Sequence, residues 1–334
     1  NAVSFANDGT LTLGSSGGTQ TYSGGLTTTS VGGTVTLNGS IKTSTNPIVL
    51  GAVTLANPVT IDTDATNNNG DITIGTVTGS GQNFAMETGN NVAGADITAN
   101  GAISNVATLA LDNVGGTATF SGDVDVTTLT VNDVADAQFN STVNATTITV
   151  QNFTNDGRVS FNGNLTVGTF STDTSNMTVE ILGSSNTFSQ RATFRNSGNI
   201  NLGSTGATDS FTFNGGLTDS SSSSNTFFRI AGSFASSNDT IVLDDVVVRA
   251  NTTIDTNATD NTGDITLGTI TTDNGSRTLT LSTGNNIAGA DVTASGNING
   301  LDNLTLADVG GTATFAGDVD VTTLAVDNTV ANVA

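Results

Sequence analysis

Aspartates are the residues best placed to do chemistry in this chain. Asp62, Asp64 and Asp71 lie in IDTDATNNNGDIT, and Asp255, Asp260 and Asp264 lie in the matching IDTNATDNTGDIT. Loops this rich in Asp, Asn and Gly offer carboxylate and amide oxygens to a hard cation, which makes these six residues calcium candidates. The same residues also build solvated turns by bonding their own backbone. No EF-hand or GGxGxD pattern is present to decide between the readings, and calcium is the one cofactor left open. Paired carboxylates, Asp123 with Asp125 and Asp318 with Asp320, could in principle act as acid and base on a glycosidic bond. Against this, the chain has no Trp, a single tyrosine at Tyr22 and only seven Lys and Arg, so it lacks sugar-stacking rings and cations for a developing anion. Both pairs are expected to point outward from open strands without a cleft, and no catalytic residue is assigned.

The remaining side chains narrow the possibilities. Cysteine and histidine are absent, and the lack of Cys removes disulfides, thiolate metal sites and Cys nucleophiles together. A formal net charge of -22 repels a phosphate backbone and an anionic lipid surface, so neither nucleic acid nor membrane is an expected partner. The longest apolar stretch, residues 48–53, is strand-sized, and no membrane insertion is expected. Arg158, Arg191, Arg195, Arg229 and Arg249 crowd the central part, where Phe is densest, and are read as neutralising nearby aspartates, with a lateral contact as the rival.

The elements that must position these groups are legible from repetition. VGGTATFSGDVDVTTLTV at 114–131 returns as VGGTATFAGDVDVTTLAV at 309–326, and the spacing between copies is about 193 to 195 residues with a small insertion near Gly275. The chain is therefore read as a first long unit, 1–192, and a second, incomplete copy, 193–334. Starting at Asn1 and stopping inside a repeated pattern, it is taken as a piece or a processed form of something longer. The serine run at 220–224 follows Gly215-Gly216-Leu217-Thr218, a match to Gly24-Gly25-Leu26-Thr27, and is read as a loop protruding from a coil.

A shorter period sits inside the long one. Phe120, Phe139 and Phe161 are each followed four residues later by an aliphatic, at Val124, Val143 and Leu165, and Phe315 by Val319. Inward candidates then continue at the same offsets: Val126, Leu129 and Val131; Ile148 and Val150; Val167 and Phe170; Val321, Leu324 and Val326. Alternation is strict within each pair but slips by one residue between them, as a strand does when it restarts its inward phase after a bend. That places a corner at Thr127 and Thr128. One such coil buries a handful of side chains worth about 1.5–3 kcal/mol each, against an ordering cost of about 1–2 kcal/mol per residue, so it stands only in a stack. The expected fold is all-β, a right-handed parallel β-helix or β-solenoid with coils of about twenty residues, about seventeen of them in the chain. Tandem immunoglobulin-like β-sandwiches are the alternative, disfavoured by the scarcity of Pro and Trp.

Thr/Asn-rich coils such as GDITIGTVTGSG, ADITANGAISN and FNGNLTVGTFST resemble those of filamentous-haemagglutinin and autotransporter-passenger bacterial surface proteins. The resemblance covers essentially the whole chain and is architectural. It implies a right-handed parallel β-helix, export to the cell surface or beyond, and a role in attachment or fibre formation. The expected function is a structural rod or filament-forming segment of a secreted or cell-surface protein, with other copies of itself or adjacent repeats as partners. A glycan-binding or calcium-dependent adhesin module is the alternative, with cell-surface glycans as partners, and a polysaccharide-degrading enzyme is disfavoured.

Overall fold

The computed structural model describes residues 1–334 apart from 90–91, 154–155, 206–207, 222–226, 275, 285 and 328–329. The described chain is all-β without a helix, and its parallel strands stack as a β-solenoid of about 14 turns of about 22 residues. Immunoglobulin-like sandwiches are excluded, because they are antiparallel whereas these ladders are parallel. The coils are also fewer and longer than the expected seventeen of about twenty residues. The step between hydrogen-bonded neighbours ranges from 18 residues, Ser141 to Asp123, to 28, Thr272 to Gly300, because loops of different length leave the coils between strands. Contacts divide the chain into two compact units, Asn1–Gly163 and Asn164–Ala334. The sequence boundary between 192 and 193 marks copies of a repeat and falls inside the strand Ala192–Phe194.

In the first unit, three-residue strands such as Ile48–Leu50, Ile72–Ile74 and Ile97–Ala99 bury their first and third residues. Period-two geometry turns the middle residue outward, a Thr in the second and third of these strands and Val49 in the first. Like residues then lie over like: Ile48 on Ile72 on Ile97, and Leu50 on Ile74 on Ala99 on Phe120 on Phe139 on Phe161. Phe120 and Phe139 stack with centroids 4.8 Å apart, and Phe139 and Phe161 at 5.1 Å, so the ring repeat matches the strand spacing. Val124, Leu129 and Val131 pair with Val143, Ile148 and Val150, and all are buried. The break at Thr127 and Thr128 is present, with both side chains turned out of the core. A second bend follows at Asn132 and Asp133, where Asp133 has φ 52° and its neighbours in the stack, Asn113 and Asn152, have φ 49° and 59°. Asn and Asp tolerate this left-handed backbone better than any other residues with a side chain.

The second unit uses the same rules with larger side chains. Leu165, Val167 and Phe170 are buried, and Phe170 meets Phe188 edge-on at 5.8 Å. Phe211 stacks on Phe234 at 4.8 Å, above Ile254 and Leu281. The expected core differs at one place: Val319, Leu324 and Val326 are 38%, 45% and 46% exposed, and Phe315 and Val321 are half-buried. The strand Val319–Val326, which carries all of these but Phe315, pairs with Ile298–Ala307 on one side, and no described coil covers its apolar positions as Val143–Gln151 covers the equivalent Val124, Leu129 and Val131.

Candidate functional site

The six candidate aspartates are positioned by a loop anchor. Thr63 is fully buried, and its Oγ1 donates to the Gly70 carbonyl at 2.6 Å; Thr256 does the same to Gly263 at 2.5 Å. Each Thr thus pins the loop between itself and the next strand. The following glycine is forced by packing, since a Cβ on Gly70 would lie 2.5 Å from the Ala65 methyl. On this frame the carboxylates are already engaged. Asp62 meets Lys42 at 2.8 Å and accepts the Asp64 amide at 2.7 Å. Asp255 accepts the Asn257 amide, and Asp260 accepts the Thr262 amide and hydroxyl. Those contacts hold the exposed Asp260 carboxyl below its ordinary pKa, the Thr262 hydroxyl contributing most.

Asp71 and Asp264 act along the stack. Asp71 accepts the Asp96 amide at 3.0 Å, and Asp96 accepts the Thr117 amide at 2.7 Å; Asp264, Asp291 and Thr312 repeat this at 2.8 and 2.7 Å. These carboxylates brace one coil to the next, and they explain the second glycine of VGGT: a Cβ on Gly116 or Gly311 would strike the Asp96 or Asp291 carboxylate. Among the described residues no three Asp or Glu come together as a metal-holding group, so the six candidates form no shared centre.

The paired carboxylates have different neighbours in the stack. Asp123 takes the Ser141 hydroxyl and the Thr142 amide, while Asp125 stacks between Ser104 and Asn144. A groove of about 420 Å³ does lie beside Asp125, lined also by Asn105, Val106, Thr127 and Thr146, which corrects the expectation of no cleft there. Among the described residues, Asp125 is the one carboxylate on its lining. Asp318 and Asp320 are exposed, with Asp320 paired to Asn299. Arg158 forks onto Asp136 at 2.9 and 3.2 Å, a neutralising contact, and Arg191 reaches the Thr218 hydroxyl at 3.3 Å.

No family model, curated protein or solved structure matches the chain.

Two groupings escaped the sequence reading. Lys42, Asp62, Glu87, Asp112 and Asn132 occupy one register position on successive coils. The three carboxylates form an acidic ladder with Lys42 at one end and the Asn132 amide bonded to Asp112 at the other. Burial, helped by Asp62 and Asp112, pushes the Glu87 carboxyl above its ordinary pKa. The recurrence of Asp, Glu and Asp at an equal step of one coil is the signal that could have found it. The other grouping is Asp219 with Asp244, whose signal is a difference between the copies: Thr28 and Gly51 stand at the matching positions of the first. Most of the serine run, 222–224, and Gly275 lie outside the described residues.

Proposed function

We propose that this chain is a structural segment of a secreted or cell-surface protein, acting in surface architecture, fibre assembly or attachment. The observation that carries this reading is how the polar side chains are used. Carboxylates and amides that could have met a ligand are turned onto the neighbouring coil: Asp96 and Asp291 onto backbone amides, Asn132 onto Asp112, Asn152 onto Asn132, Asn162 onto Asn140. Ladders of this kind, with an apolar interior of Phe, Ile, Leu and Val, make stability a sum over neighbouring coils, so added copies add length without needing a new core. The near-identity of 114–131 and 309–326 fits selection for continuity. A net charge of -22 keeps such a surface solvated and self-repelling.

Antibody labelling of intact cells that make the protein tests this directly. The expected result is labelling of the outside of unpermeabilised cells, or of extended material shed from them. Labelling that appears only after permeabilisation would overturn the proposal.

A further inference from the structure

The two copies build the same local frame around Leu26 and Leu217. Leu26 pairs with Ile48 and Leu217 with Ile241, and those pair in turn with Ile72 and Ile265. Gly75 donates to the Gly51 carbonyl at 3.2 Å, as Gly268 does to that of Asp244 at 2.7 Å. On this common frame the side chains differ. In the first copy the Thr28 hydroxyl accepts the Gly51 amide at 3.4 Å. In the second, Asp219 replaces Thr28 and Asp244 replaces Gly51, setting two carboxylates on adjacent coils.

The replacement leaves oxygens unsatisfied. Asp219 Oδ1 accepts the Ser221 amide at 2.8 Å, but Asp219 Oδ2 and Ser221 Oγ each expose less than 1 Å² and have no hydrogen-bond partner among the described residues. The Ser221 hydroxyl and the Asp244 amide lie close enough to the carboxyl to influence it, without bonding geometry at Oδ2. Asp219 and Ser221 both line a cavity of about 180 Å³, whose lining also includes Asp244, Thr266 and Ser295. The Asp244 carboxylate reaches over Gly268, where a Cβ would come within 2.6 Å of its Oδ1. A carboxylate oxygen taken out of water needs a donor or a cation, and a second carboxylate on the next coil makes a cation the better complement.

We propose that this cavity binds one Ca²⁺ ion, with the Asp219 and Asp244 carboxylates and the Ser221 hydroxyl among its oxygen ligands. Ca²⁺ accepts an irregular set of six to eight oxygens, water included, whereas Mg²⁺ demands a near-ideal octahedron. The ion would tie two coils together in the second copy alone, which goes beyond a structural role shared by both copies.

Calorimetric titration of the full chain with Ca²⁺ in about 0.15 M salt, where diffuse attraction to surface carboxylates is screened, tests this against D219N and D244G. The second variant carries the residue that the first copy has at this place, and its melting temperature in EGTA reports whether the fold survives. The wild type is expected to show one saturable site in the range of about 10⁻⁴ to 10⁻³ M, lost in both variants, with a calcium-dependent rise in Tm only in the wild type. A wild type without a saturable site, or variants that titrate like it, would overturn the proposal and leave the cavity to water only.

Discussion

Glu87 lies between Asp62 and Asp112 in the stack, half-buried, with Lys42 one coil beyond Asp62. Burial and two like charges favour its neutral form, so its folded pKa stands above the ordinary 4.5. A group whose pKa is raised by folding binds its proton more tightly in the folded state, so its contribution is fully present below the unfolded pKa and is lost as pH rises through the folded one. The strand Phe84–Glu87 should therefore become more stable as pH falls from neutrality toward 4.5. Glu87→Gln should raise Tm at neutral pH and flatten the rise on acidification, as measured by thermal melts across that range. An unchanged pH profile in the variant would show that the ladder is relaxed by solvent. The second copy supplies a contrast, since Ser282 and Ala307 stand above Asp255 where Glu87 and Asp112 stand above Asp62.

At the scale of the element, the strands are short and the loops are held by single side chains. Thr63→Val keeps the shape at a fully buried position but leaves the Gly70 carbonyl without its donor, at a cost of about 1–3 kcal/mol. The expected outcome is a lowered Tm together with faster amide exchange in residues 64–71, and unchanged exchange there would mean the loop is held by something else. This anchor was not legible in the sequence, because Thr is so frequent that a buried one looks like any other. The strands themselves were legible. The equal offsets after Phe120 and Phe139 fixed the register of Val124 on Val143 and Leu129 on Ile148, since alternation leaves one inward phase per strand. The bend at Thr127 and Thr128 followed from the same phase slip. The bend at Asp133 did not, although Asn113, Asp133 and Asn152 recur at one position and all take the left-handed backbone.

At the scale of the molecule, repetition was the strongest signal, and its limits have physical causes. Loops do not contribute to the inward pattern, so the regular segment around Phe120, Phe139 and Phe161 understated the coil length found elsewhere. The core at Val319, Leu324 and Val326 was inferred by likeness to Val124, Leu129 and Val131, but burial of an apolar position in a solenoid depends on the coil beside it. Carboxylates were harder still, because whether an aspartate braces a neighbour, caps its own turn or joins a ladder is not marked by the residues beside it, and the first and last of these depend on which residue lies one coil away. Asp71, Asp260 and Asp62 illustrate the three cases. The central claim is thus that neighbours along the stack, in parallel register, decide the role of each residue. The absence of native cysteine allows a direct test by disulfide formation in D125C/N144C, exposed positions that pair on adjacent coils. Parallel neighbours lie about 4.8 Å apart, within the Cα separation a disulfide accepts. Mild oxidation should cross-link this variant rapidly within one chain while D125C/T149C, displaced along the strand, stays reduced. Equal cross-linking of the two variants, or none in the first, would contradict the register on which the account rests.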